Sequence, residues 1–252
     1  MRLRSLRRAA LRLVPLVAVL CWQGSASAQL PDKFTNLKIL PKNVSKDELV
    51  TTMRGFSTGL GVRCNYCHAP VDSTKGRGLN FASDAKNEKL IARTMMSMVT
   101  TINGKLVPKS GIKSPVQVGC VTCHHGVQKP QTLTAMLEAT ATKDGVPAAQ
   151  QQYNDLRAKY YGSAAYDFSP RSLQDFAEWL AHDKKDLDGA IAVANMSIQR
   201  DPEASDNYSL LAMLQAEKGE KAAALESVKK ALEIDPQNRE AQEIMKQLQS
   251  GQ

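Results

Sequence analysis

Cys64-Asn65-Tyr66-Cys67-His68 and Cys120-Val121-Thr122-Cys123-His124 are the residues of this chain best able to do chemistry. Each places two thiols about one helical turn apart and a histidine directly after the second. That spacing suits two thioether bonds to the vinyl groups of one porphyrin, with the imidazole set beneath the iron as its proximal ligand. Two such units predict two covalently bound c-type haems, held by Cys64, Cys67, Cys120 and Cys123 and ligated by His68 and His124.

Other uses of paired cysteines are two disulfides, a zinc site built from both pairs, or a redox-active Cys-x-x-Cys. Histidine makes up only 4 of 252 residues, so accidental histidines after both pairs have a chance on the order of 0.0003. The 52 residues between the pairs far exceed the spacing of a zinc ribbon. Haem is the reading that uses every residue of both motifs.

The elements that must position these groups are helical. Ser45-Lys46-Asp47-Glu48 is a capping box, followed by an apolar stripe of Leu49, Met53, Phe56 and Leu60, and Gly61 stops the helix. A second helix, capped by Ser83 or Asp84, carries Ile91, Met95, Met98 and Ile102 and ends at Asn103-Gly104. The plan is thus repeated as helix, turn, haem motif, with a longer loop before Cys120. Met53 and Met95 are the candidate distal ligands, with Met98 as the less favoured alternative to Met95; core packing is the plainer role for a methionine at such positions. His125 and His182 are read as solvated residues.

Further along, Ala190, Ile198, Asp201 and Pro202 recur 34 residues later as Ala224, Leu232, Asp235 and Pro236. This period resembles tetratricopeptide repeats, closed by a capping helix from Arg239 to Leu248. The expected fold class is mostly α. Residues 1–28 form a signal peptide, 33–131 a dihaem cytochrome domain, 132–170 a helical connector with a helix over Val146 to Tyr161, and 171–252 the repeats.

The signal peptide rests on Arg2, Arg4, Arg7, Arg8 and Arg12, an apolar run from Leu13 to Trp22, and Ala26-Ser27-Ala28 before Gln29. Cys21 follows a bulky leucine and is read as part of that run rather than a lipid-attachment site. The formal charge of +8 includes these five arginines, leaving +3 after cleavage, which gives no case for nucleic acid. No later stretch reaches 18 apolar residues, so no transmembrane segment is expected after signal cleavage. The protein is expected in the periplasm or otherwise outside the cytoplasm.

From Phe34 to Gln131 the chain resembles the cytochrome c subunit family of photosynthetic reaction centres. The resemblance is carried by Leu37-Lys38-Ile39-Leu40-Pro41, Met53, Gly61-Val62-Arg63 before Cys64, Asn80-Phe81-Ala82-Ser83-Asp84, Ala92-Arg93-Thr94-Met95-Met96-Ser97-Met98, and His125-Gly126 after the second motif. It implies that the helix before each motif supplies the distal methionine, and that Met95 rather than Met98 serves the second iron. This chain has two haem motifs where that subunit has four, and a C-terminal extension that the family does not lead one to expect. The resemblance and the motifs together imply an electron-transfer protein rather than an enzyme, working between extracytoplasmic redox partners, with the repeats docking a protein partner. A peroxidase-like dihaem enzyme with one open iron and a reaction-centre electron donor are the alternatives.

Overall fold

The structure is a computed structural model and describes residues 33–72, 78–113 and 116–250. The expected signal peptide and Cys21 lie outside the described residues. The protein is mostly α. α1 (Lys46–Leu60) begins on the capping box, the Glu48 N–H donating to Ser45 Oγ at 3.3 Å and the Ser45 N–H to Glu48 Oε2 at 3.4 Å. It ends on Gly61 in the left-handed region, φ 63°. A single 3-10 turn, Cys64–Tyr66, carries the first motif into β1 (Ala69–Pro70), which pairs antiparallel with β2 (Leu79–Asn80).

α2 (Asn87–Thr101) starts later than the sequence suggests. Neither Ser83 nor Asp84 caps it: the Ser83 hydroxyl accepts from the Ala85 N–H, and Asp84 is engaged by Asn36, Lys89 and Arg93. The helix also does not stop at Asn103-Gly104. It widens into a π turn (Ile102–Leu106) and continues as α3 (Val107–Lys109). The wider turn suits Pro108, which has no N–H to give the preceding turn. Asn103, expected to end the helix, instead clamps the following loop: its side chain donates to Val118 O and accepts from the Val118 N–H, both at 2.8 Å. α4 (Cys120–His124) then carries the second motif.

The segment expected to be a connector is two helices, α5 (Leu133–Asp144) and α6 (Val146–Tyr160). They share a core with α7 (Pro170–His182), α8 (Leu187–Arg200) and α9 (Ser205–Glu217), built on Leu137, Tyr153, Phe176, Leu180, Val193 and Leu214. α5 carries a thin scatter of apolar residues rather than a clean stripe, so its periodicity is weak. A smaller core of Ala212, Val228, Ala231, Ala241 and Ile244 joins α9 to α10 (Lys221–Ile234) and α11 (Arg239–Ser250).

From α7 onward each helix packs on the next. α8 and α10 start 34 residues apart, as do α9 and α11. α8 and α10 also end alike: Asp201 and Asp235, each before a proline, take extended ψ values of 84° and 98°. Proline disfavours helical backbone in the residue before it, so the Asp-Pro pair is the stop signal of each helix.

Candidate haem site

The two motifs are held by different means. In the second, α4 lasts five residues and is turned back by two consecutive left-handed residues, His125 (φ 48°) and Gly126 (φ 83°). The reversal buries Val127, whose N–H donates to His124 O at 2.8 Å. The Val127 carbonyl meets His124 Nδ1 at 3.0 Å. A carbonyl can only accept, so Nδ1 carries the ring proton and Nε2 keeps its lone pair for a metal. The Thr122 hydroxyl, inside the motif, accepts from the Gly119 N–H at 3.0 Å.

In the first motif, His68 N–H returns to Cys64 O at 3.0 Å and the chain runs straight on into β1. His68 lies edge-on to Phe81, ring centroids 5.0 Å apart, and its buried Nδ1 has no partner. Burial, and then the Lys89 ammonium, hold its pKa below the ordinary histidine value against a hydrogen bond with the Phe81 backbone, which favours the neutral imidazole that metal binding needs. Support comes from α2: Lys86 Nζ donates to Asn65 O at 2.7 Å and to Tyr66 O at 3.3 Å.

None of the four motif cysteines is joined in a disulfide, and burial pushes the thiols of Cys67 and Cys120 up from their ordinary values. Among the described residues no group of three or more His, Cys, Asp and Glu converges, so the two pairs do not form a zinc tetrad.

The helices supply apolar surface. On α1 Leu49 is buried and Met53, Phe56 and Leu60 are half-buried. α2 buries none of its residues; Ile91, Met95 and Met98 are 49, 40 and 47% exposed along one face. That apolar row, the unbridged cysteine pairs and an imidazole pre-set for metal binding are the complement of a porphyrin. Met95 and Met98 are both available on it.

The close contact between the two halves of the site was not legible in the motifs. α1 packs on α4. The Gly126 N–H donates to Gly59 O at 3.0 Å, and a Cβ on Gly59 would lie 3.1 Å from Val121 N and 3.2 Å from Cys120 Cβ. A Cβ on Gly61 would fall 2.0 Å from Gly126 O. The only advance signal was glycine itself, two residues apart at the end of α1 and just past the second motif. The cluster of Asn36, Asp84, Lys89 and Arg93 was also missed: Arg93 donates to Asp84 at 2.9 Å and to Asn36 O at 3.2 Å, tying the N-terminal segment to α2.

Residues 9–223 match the family model of the photosynthetic reaction centre cytochrome c subunit. The chain belongs to that family. The match extends well beyond Phe34–Gln131, taking in α5 to α9, so those helices are not foreign to the family as the motifs alone suggested. Cytochrome c-554 of Chloroflexus aurantiacus is 31% identical over 103 residues, 40% of this chain and 23% of its own. The photosynthetic reaction center cytochrome c subunit of Thermochromatium tepidum is 26% identical over 151 residues, 58% of this chain and 33% of its own. The chain thus spans a quarter to a third of the curated relatives it matches. Among solved structures, the Sgt2 TPR domain of Aspergillus fumigatus overlaps 47% of this chain and 76% of its own at TM-score 0.34 and 15% identity. As a member of this cytochrome family the chain is of the c type, with covalently bound haem. Among the described residues no helix is long and apolar enough to cross a membrane.

Proposed function

We propose that this chain is an exported dihaem c-type cytochrome that passes electrons between extracytoplasmic redox proteins, and is not an enzyme. One haem would be held by Cys64 and Cys67, with His68 and Met53 as ligands to its iron. The other would be held by Cys120 and Cys123 with His124 and Met95, ahead of Met98. When bound, the haems supply reversible one-electron chemistry.

The chain's residues do the rest. The Val127 carbonyl fixes the tautomer of His124, α1 and α2 offer apolar faces that exclude water, and the Gly59–Gly61 end of α1 holds the two motifs together. Ligation by one histidine and one methionine would raise the reduction potential. The C-terminal helices, with their 34-residue recurrence, act as tetratricopeptide-like repeats that dock a protein partner, since stacked helical pairs present a continuous surface.

The observation that carries this reading is the doubled Cys-x-x-Cys-His unit whose second histidine is already oriented for a metal. Intact mass and an absorption spectrum after export test it: a chain beginning at Gln29 and bearing two haems is expected. A haem-free chain four hydrogens light would mean two disulfides and end the proposal.

A further inference from the structure

Charge divides sharply between the two halves of the molecule. Residues 33–131 carry 15 Lys and Arg against 5 Asp and Glu, whereas residues 132–252 carry 13 against 19. The cytochrome unit is therefore formally +10 and the helical stack −6. Four haem propionates would leave the first strongly positive.

Ion pairing follows the same division. In the stack, Arg171 pairs with Asp175 at 2.7 Å, Lys218 with Asp188 and Glu220 at 2.7 Å each, Lys229 with Glu226 at 2.8 Å and Lys230 with Glu233 at 3.0 Å. In the cytochrome unit the pairs of Lys89 and Arg93 converge on the single carboxylate of Asp84. Arg54, Arg63, Lys105, Lys109, Lys113 and Lys129 are exposed, and among the described residues none forms an ion pair. They stand next to the proposed haem residues along the chain: Arg54 follows Met53, Arg63 precedes Cys64, and Lys129 comes five residues after His124. Lys105, Lys109 and Lys113, four residues apart, stand on the stretch leading to Cys120, beside exposed Leu106 and Ile112.

We propose that this cationic surface around the two motifs docks a redox protein that presents an acidic patch, and that the negative helical stack orients the encounter. The inference rests on the haem reading above. Opposite charge on the two sides of an encounter raises association rates, and a separated charge distribution steers even a molecule of small net charge. The mature chain with its propionates is nearly neutral overall, so net charge alone predicts little response to salt. The segregated charge predicts a strong one.

The test begins by confirming reducible haem from the absorption spectrum; its lack would end the haem reading rather than this one. The reduced protein is then oxidised by hexacyanoferrate(III) or by tris(phenanthroline)cobalt(III), each reagent taking one electron from one Fe(II) haem. As salt rises from about 10 mM to about 300 mM, the anionic oxidant slows and the cationic one quickens. Next, an acidic ferredoxin donates one electron per ferric haem, and its affinity is read separately by calorimetry. The triple change Lys105→Glu, Lys109→Glu and Lys113→Glu lowers the ferredoxin rate roughly tenfold at low salt and weakens its binding. Arg54→Glu with Lys129→Glu gives a second, independent surface pair.

Equal salt responses for the two oxidants would overturn the proposal. So would charge reversals that leave ferredoxin affinity and rate unchanged. Loss of retention on phosphatidylglycerol vesicles as the only effect of those reversals would also overturn it, in favour of a membrane surface.

Discussion

The imidazole of the second haem motif is oriented by its own next turn, whereas the first motif leans on a lysine 20 residues away. Around His124, two left-handed residues and one buried valine set the imidazole within a span of four residues. Around His68 there is no such loop; Lys86 at the start of α2 holds the carbonyls of Asn65 and Tyr66, and Asp84 anchors that part of the chain through Lys89 and Arg93. The same five-residue chemistry is thus held by backbone in one place, through its own turn and the end of α1, and by charged side chains in the other. Backbone support survives changes of pH, while support through charged side chains does not.

The largest effect on this arrangement is expected from Gly61→Ala. The new Cβ would come 2.0 Å from Gly126 O at a residue with φ 63°, so both strain and overlap must be relieved. A loss of about 2–4 kcal/mol is expected. Because Gly126 belongs to the turn that orients His124, the damage should reach both motifs. Thermal unfolding, with both haem signals followed during redox titration, measures it. Unchanged stability and unchanged potentials would mean that the junction does not couple the two halves.

Gly126→Ala separates them. Its φ of 83° is also left-handed, but the nearest atom to the new Cβ is Thr58 O at 3.9 Å, so space is open. Only the conformational penalty remains, about 1–2 kcal/mol. The turn that carries Val127 to His124 bears the strain, so the potential of the second haem should shift while that of the first stays. Equal shifts would show that the two motifs are not independently held.

These contrasts mark where the sequence was readable. Local rules gave α1 almost in full, because Ser45, Glu48 and Gly61 act on neighbours within four residues. They failed at α2, where Asp84 has the chemistry of a cap but binds Asn36, Lys89 and Arg93 instead. Asn103 likewise reads as a stop and acts as a clamp on Val118. Motif spacing named the cysteines and histidines, yet could not show that Gly59 and Gly61 touch the second motif, a contact between residues more than 60 apart. The helices of the C-terminal stack followed the 34-residue period, but α5 lacked a stripe strong enough to announce it.

The methionines sharpen the comparison spectroscopically. Met53→Leu and Met95→Leu should each remove about half of the near-infrared band expected of sulfur-ligated ferric haem, and lower one potential. Met98→Leu should leave the band intact, since its sulfur is not the proposed ligand, and the volume-conserving change should cost less than about 1.5 kcal/mol in stability. If Met98→Leu removes the band and Met95→Leu does not, the second iron takes the other methionine of that face.

The smallest effect, and the one that isolates the first motif's dependence on charge, belongs to Asp84→Asn. Hydrogen bonds from Arg93, then Asn36 and Lys89, hold the Asp84 carboxyl well below the usual carboxylate range. A folded pKa below the unfolded one means that its contribution is complete above the ordinary value of about 4 and fades as pH falls through the folded value. The native protein should therefore lose stability in strong acid through this site, and the asparagine variant should have a flatter curve there while starting slightly lower at neutral pH. Asp84 sits on an exposed surface, so salt should reduce the difference between the two proteins at neutral pH. Signals from His68 and Phe81 should respond first on acidification, ahead of those from His124, whose orientation rests on a carbonyl that does not titrate. Coincident acid profiles for variant and native protein, or a second motif that responds as early as the first, would remove the distinction between charge-dependent and backbone-dependent support.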